Sequence, residues 1–155
     1  IELLATPFQG LQLLGCGTFL RAELGSGAGA DIGSRLTGVP SSIGNVSAAY
    51  TLGKARATAD WHWVGERFVD ITVGTALPAY SYFNFGVSYF LPTQGLTFNL
   101  NLLTAFQGEG LEEGNPRLQT TGGTGIFLAR PILPRRLTVS MRYDFGSQGQ
   151  PAEQP

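Results

Sequence analysis

Hydrophobic and polar residues alternate along much of this chain, most clearly near its end. From Leu137 to Phe145 every odd position is apolar and every even position is polar. Because successive side chains of a β-strand point to opposite faces, this stretch predicts a strand with one apolar and one polar face. Such a strand fits a soluble sheet packed on a core, and it equally fits a transmembrane barrel whose apolar side meets lipid.

The same pattern predicts further strands. They are expected at residues 45–52, 57–63, 83–89 and 96–102, with a less regular strand at 11–24, the end of another at 1–5 and a short one around 126–129. The segments between them alternate in length. Turns are predicted at 6–10, 53–55 and 92–95, and long loops at 25–40, 64–78 and 108–134. In an up-and-down antiparallel sheet this alternation places short turns at one rim and long loops at the other, as in outer-membrane barrels.

Composition excludes several classes of function. The chain carries 14% charged residues, against a usual share of roughly 25%, and its net charge is -1, so no basic surface for nucleic acid is expected. One cysteine, Cys16, and one histidine, His62, form neither a disulfide nor a cluster of metal ligands. No run of about 18 apolar residues predicts a transmembrane helix. The first residue is Ile1 rather than Met, and we expect a piece of a longer protein.

The residue types on the two faces favour a membrane barrel. Aromatic residues fall on the apolar face, several near strand ends, where they collect at membrane interfaces. The aromatic positions are Trp61, Trp63, Phe83, Phe85, Tyr89, Phe98, Tyr143 and Phe145. The polar face carries mainly small uncharged side chains, where a soluble sheet would more often carry Lys and Glu. A soluble β-sandwich or β-helix stays open as the alternative.

Several segments, in order, resemble the C-terminal barrel of TonB-dependent outer-membrane receptors. Leu36 to Pro40, before a strand ending in Ala49-Tyr50, is similar to the family's "L-x-G-x-P... SY" stretch. Trp63 to Arg67, Leu77 to Tyr80 and Val87 to Tyr89 resemble its "YVGxR... LPGY... ASY" run. Leu96 to Leu103 and Pro134 to Phe145 resemble "L-x-L-x-V-x-N-L" and the closing "PRTV... L-x-Y-x-F".

The resemblance implies a fold and a division of the chain. The fold class is all-β, an antiparallel up-and-down transmembrane β-barrel segment comprising the last six or so strands, with the stub of a seventh, of a barrel of about 22 strands. Residues 1–145 would belong to the barrel, and 146–155 would form a polar, disordered tail. The ten residues after Phe145 depart from the family, which usually ends on the terminal aromatic residue.

The resemblance also implies a function. It implies a plug-gated, TonB-energised receptor in the outer membrane of a Gram-negative cell, importing an iron-siderophore-like complex, haem or cobalamin. The implied partners are the outer-membrane bilayer, the TonB-ExbB-ExbD complex through an N-terminal part outside this sequence, the barrel-assembly machinery and a small-molecule ligand. No cofactor and no nucleic acid are expected. A passive porin-type barrel and, less favoured, a soluble all-β binding or structural module are the alternatives.

Candidate ligand-binding residues lie on the predicted lumen face or in the long loops: His62, Glu66, Arg67, Asp70, Tyr80 and Arg117. Each also has an ordinary structural interpretation. His62 fits a polar filler of the lumen, Glu66 and Arg67 fit an exposed ion pair, and Glu112 and Arg117 fit solvated loop charge.

Other candidates are structural. Asn99, Asn101, Arg142 and Asp144 are predicted to face the lumen. Arg142 and Asp144 are expected to form structural ion pairs, and three partners stay open for them: each other, the adjoining strand and the plug. Met141, Tyr143 and Phe145 resemble the C-terminal signal that the barrel-assembly machinery binds. For an enzyme we find no combination of nucleophile, base and orienting acid, so no catalytic residue is predicted.

Overall fold

The computed structural model describes residues 1–23, 25, 35–69, 76–92, 95–106, 110–115 and 128–145. All regular secondary structure in these residues is β. None of the described segments forms a helix long and apolar enough to cross a membrane.

Seven strands of the described chain form one sheet. They are β1 (Glu2–Phe8), β2 (Leu11–Phe19), β3 (Ser42–Leu52), β4 (Ala55–Val64), β7 (Tyr80–Leu91), β8 (Leu96–Leu103) and β11 (Arg136–Tyr143). Their order across the sheet is β1-β2-β3-β4-β7-β8-β11, and each neighbouring pair is antiparallel. The predicted fold class is confirmed, and the predicted stub corresponds to the seven-residue strand β1.

Two small hairpins lie in the long connections. β5 (Arg67–Phe68) pairs with β6 (Ala76–Leu77), and β9 (Leu111–Asn115) pairs with β10 (Leu128–Pro131). The segment 64–78 was predicted as one long loop, whereas Arg67–Phe68 and Ala76–Leu77 within it form a pair of short strands. The short strand predicted around 126–129 is observed at Leu128–Pro131. Strands of two residues, such as β5 and β6, are too short to show a detectable alternation of apolar and polar residues.

Short turns and long connections lie at opposite ends of the sheet, as predicted. Gly10, Gly53 and Gly95 adopt φ values of 88°, 58° and 62°, in the left-handed region that glycine enters without steric cost. The first turn is shorter than predicted, because β1 continues through Thr6 and Pro7 to Phe8, with a register irregularity after Ala5. The strand predicted at 11–24 ends at Phe19, and the closing strand ends at Tyr143.

Register aligns the apolar positions of all the strands on one face of the sheet. Leu100 lies opposite both Val87 and Val139, and Trp61 lies opposite both Val46 and Phe83. This face remains open. Val139 is 72% exposed and Leu100 is 44% exposed, whereas the buried apolar residues of the described chain are Val69, Leu77 and Ala105, at the end with the long connections.

Candidate functional site

The polar face of the sheet carries a row of facing side chains near the long connections. Asn45 of β3 lies opposite His62 of β4, and His62 lies opposite Tyr82 of β7. Three antiparallel strands therefore bring together residues that are up to 37 positions apart in the sequence. The next row toward the short turns pairs Ser47 with Asp60.

A hydrogen-bond network joins these two rows. The Asn45 side-chain nitrogen lies 3.1 Å from His62 Nδ1, which can accept from the amide when the ring proton is on Nε2. The Ser47 hydroxyl lies 2.6 Å from Asp60 Oδ1 and 3.0 Å from Asn45 Oδ1. Since the hydroxyl has one proton, it donates to one of these oxygens at a time. His62 itself is contacted by the Asn45 amide and by the stacked ring of Tyr82, which together orient its imidazole.

Aromatic rings continue the row from His62 toward the long connections. His62 stacks on Tyr82 with ring centroids 4.7 Å apart and an angle of 19° between the planes. Tyr82 in turn lies 6.4 Å from Tyr80, and the guanidinium carbon of Arg67 lies 5.3 Å from the centre of the Tyr80 ring. The result is a column of rings ending in a cation, which is a favourable arrangement for a guanidinium.

Arg67 is buried, with 5% of its surface exposed. Its Nη2 donates to the backbone oxygen of Leu111 in the β9–β10 hairpin. Nη1 is also buried and finds no hydrogen-bond partner among the described residues. The interpretation of Glu66 and Arg67 as an exposed ion pair is wrong for Arg67, because its side chain contacts the Tyr80 ring and the β9–β10 hairpin.

A cavity of about 230 Å³ lies beside the column of rings. One wall is the polar face, where Tyr80, Tyr82 and Asn84 border it. The start of β9 and the segment after β10 also line it, through Glu112 and Pro134. Arg136 supplies a positive group at its border, so the cavity offers aromatic surface, hydroxyls and charges of both signs. In the described part of the chain no group of three or more His, Cys, Asp or Glu could hold a metal ion.

The structure brings together three of the predicted ligand-binding residues, His62, Tyr80 and Arg67. Glu66 is separate from them, exposed at a smaller cavity of about 120 Å³ that Arg35 and Phe68 also line. Asp70, Arg117 and the tail 146–155 lie outside the described residues. The ligand-binding role of all six residues stays a prediction.

The predicted lumen residues lie on the polar face, and some have specific partners there. Asn99 accepts a hydrogen bond from the Ser88 hydroxyl at 2.8 Å. Asn101 lies opposite Gly86, whose missing side chain leaves room for it. Arg142 and Asp144 pair with each other, one of the three partners left open, since two guanidinium nitrogens each lie 3.0 Å from a carboxylate oxygen.

The three predicted assembly-signal residues lie at the short-turn end of β11. Met141 and Tyr143 share the apolar face, opposite Phe98 and Leu96. Phe145 lies in a turn beyond the strand, where it is 90% exposed and meets the Tyr143 ring edge-on at 4.4 Å. Sequence analysis extended the strand through Phe145, which is wrong because pairing with β8 ends at Leu96.

Sequence analysis missed Tyr82 and Arg136 as members of the site. Tyr82 had a detectable signal, since it is two residues from both Tyr80 and Asn84 and so shares their face. Arg136 had a signal of the same kind, since it begins β11 opposite Leu103 and alternates with Thr138 and Ser140 on the polar face.

Comparisons with known proteins identify the fold. No protein-family model matches the chain, and no curated protein matches it. Among solved structures, the chain is similar to the siderophore receptor PiuA from Acinetobacter baumannii, with a TM-score of 0.71 and 14% identity. It is also similar to BauA, the ferric preacinetobactin receptor of the same organism, with a TM-score of 0.66 and 17% identity. Each match covers 90% of this chain and 20% of the receptor chain. The chain therefore has the fold of one fifth of such a receptor.

Proposed function

We propose that this chain forms part of the wall of an outer-membrane receptor that imports a small ligand, with its apolar face toward lipid and its polar face toward the lumen. The observation that carries the proposal is the open apolar face. Soluble monomers rarely expose large continuous apolar surfaces, yet the described residues provide no second layer over this one. Val139, Met141 and Leu137 are each more than 60% exposed there, at 72%, 65% and 63%.

Strand length and aromatic residues support the lipid-facing assignment. The central strands β3, β4 and β7 have 11, 10 and 12 residues, and a tilted strand needs about 9–11 to cross a bilayer. Aromatic rings cluster at both ends of the apolar face, where interfacial girdles lie in barrels. At one end Trp61, Phe83, Phe85 and Phe106 contact one another, and at the other Tyr143 meets Phe145.

The fold and the position of the cavity support the proposed class of ligand. The two solved structures are named as receptors of siderophores, and we extend that class to this protein. The cavity beside Tyr80 and Tyr82 lies at the end of the sheet with the long connections, which in outer-membrane barrels is the extracellular end. We further infer a plug inside the barrel and energy from the TonB-ExbB-ExbD complex, both outside the sequence of this chain.

Two experiments test the proposal. The first is fractionation of cells that express the full-length protein, followed by electrophoresis with and without heating. A barrel of this kind is expected in the outer membrane and should migrate faster before it is boiled. Recovery as a monodisperse soluble monomer without detergent would support the soluble-module alternative and reject the proposal.

The second experiment measures uptake. Cells lacking the gene should lose uptake of a ferric siderophore, and a protonophore should abolish uptake in cells that retain the gene. Uptake that survives the protonophore would favour the passive porin-type barrel, because diffusion through a pore needs no energy from the inner membrane.

A further inference from the structure

The strand β5, on which Arg67 lies, is held from two sides by backbone hydrogen bonds. Arg67 pairs with Leu77 of β6 on one side. On the other side, Gly38 donates to the backbone oxygen of Phe68 at 2.7 Å, and Ser41 donates to that of Glu66 at 3.1 Å. The backbone that carries Arg67 is therefore fixed, and its side chain has a defined direction.

The Arg67 side chain reaches the second hairpin across the ring of Tyr80. It covers Tyr80 at 5.3 Å and donates to the Leu111 oxygen at the start of β9. A buried guanidinium loses its hydration, and a ring face with one carbonyl replaces only part of it. Since Nη1 remains without a partner in the described chain, Arg67 is held in an incompletely satisfied state. Such a contact is easier to open than a fully hydrogen-bonded one.

Gly110 lets the hairpin approach the sheet closely. A Cβ atom at this position would lie 2.7 Å from Tyr80 Cγ, well inside van der Waals contact. Ile132 donates to the Gly110 oxygen at 2.9 Å, so the two legs of the β9–β10 hairpin are joined at the same point. The residues next to this junction, Glu112, Leu133 and Pro134, form the wall of the 230 Å³ cavity that faces the sheet.

We propose that Arg67 is a latch that holds the β9–β10 hairpin against Tyr80 and so keeps the cavity closed on that side. The latch joins two long connections of the fold, since Arg67 comes from the one between β4 and β7 and Leu111 from the one between β8 and β11. Arg67 is a positioning residue, acting through the hairpin on access to the cavity. This inference goes beyond the proposed function and holds whatever molecule the cavity takes.

Labelling of a cysteine inside the cavity tests the latch. Leu103 lines the cavity, and Leu103→Cys introduces a thiol there in a Cys16→Ser background that removes the one exposed cysteine of the chain. The full-length protein is purified and its reaction with a water-soluble maleimide is timed. Adding Arg67→Ala should raise the labelling rate about tenfold, the effect expected when a hydrogen bond to a charged group is lost and the closed state is weakened. Arg56→Ala removes an exposed arginine near the short-turn end of β4, away from the cavity, and should leave the rate unchanged.

A second variant keeps the test decisive if Arg67→Ala does not fold. Gly110→Ala adds only a methyl group, and it should push the hairpin away from Tyr80 and speed labelling. Gly15→Ala is its matched control, because a Cβ at Gly15 meets nothing within 4 Å. Electrophoresis without heating verifies that each variant is folded. The latch would be overturned if Gly110→Ala and Gly15→Ala were labelled at equal rates. Equal rates in Arg67→Ala and Arg56→Ala, when both fold, would overturn it as well. The labelling assay uses purified protein and is independent of the fractionation and uptake experiments. The latch can therefore be rejected while the proposed function is supported, and the proposed function can be rejected while the latch is supported.

Discussion

Val139 of β11 lies directly opposite Leu100 of β8, and both side chains stand on the open face of the sheet. The next residue, Ser140, lies opposite Asn99 on the other face. Two adjacent positions of one strand therefore face different surroundings, one apolar and one polar. This difference can be measured, because a charge placed on each side should have a very different cost.

The first prediction compares Val139→Arg with Ser140→Arg in the full-length protein. If the apolar face meets lipid near the bilayer midplane, Val139→Arg should cost about 2–4 kcal/mol, whereas an arginine facing the lumen should cost much less. Unfolding by guanidinium in liposomes gives the free energies, and the heat-modifiable fraction in cells reports assembly. Equal losses in the two variants would contradict the assigned faces.

The second prediction concerns the space that Gly86 leaves between two side chains. A Cβ there would lie 2.6 Å from Thr58 Oγ1 and 2.9 Å from Asn101 Oδ1. Gly86→Ala should therefore destabilise the sheet by about 1–3 kcal/mol, as overpacking does. Gly15→Ala, where a methyl group meets nothing within 4 Å, is the matched control.

A double-variant cycle separates crowding from backbone effects at Gly86. Thr58→Ala removes the closest atom, so it should recover part of the stability lost in Gly86→Ala. Denaturant unfolding monitored by the fluorescence of Trp61 and Trp63, the two tryptophans of the chain, provides the measurement. If Thr58→Ala restored none of the stability lost in Gly86→Ala, contact between the added methyl group and the Thr58 hydroxyl would not be the cause of that loss.

The strands of the sheet could be predicted from the sequence because the pattern that produces each strand lies within the strand itself. Alternation with a period of two fixes the face of each residue within a strand, and the glycines at 53 and 95 mark turns. The register between strands then follows from matching apolar faces and short turns. Val139, Leu100 and Val87 share one face for this reason.

The candidate site could be predicted only in part. His62 and Tyr80 lie on strands, so their face was accessible to the same reasoning. The burial of Arg67 was not, because it depends on a hairpin that begins 44 residues later at Leu111. Contacts between two long connections carry no periodic signal in either segment, and Arg67 beside Glu66 has the pattern of an ordinary exposed charge pair.

The third prediction tests the hydrogen-bond network that orients His62. Ser47→Ala removes the hydroxyl between Asp60 and Asn45, and we expect a loss of about 1 kcal/mol, since a charged acceptor loses its donor. Ser140→Ala is a suitable control, because the exposed Ser140 lies on the same polar face without a side-chain hydrogen bond within the described chain. The free energy of unfolding of both variants should be compared at one pH and salt concentration. A Ser47→Ala variant as stable as Ser140→Ala would show that the network contributes nothing to the fold.

The fourth prediction concerns Phe145, which lies past the last strand and yet meets Tyr143 edge-on at 4.4 Å. We expect Phe145→Ala to slow assembly into the outer membrane without lowering the stability of the assembled protein, because a 90% exposed ring contributes little to packing. Pulse-chase labelling gives the rate at which the heat-modifiable form accumulates. Phe145→Tyr, which keeps the ring, should assemble at the parent rate. Phe19→Ala, at a 77% exposed aromatic position at the other end of the sheet, should not slow assembly. If Phe19→Ala and Phe145→Ala slowed assembly equally, a general loss of apolar surface would account for the effect, and Phe145 would have no special part in recognition.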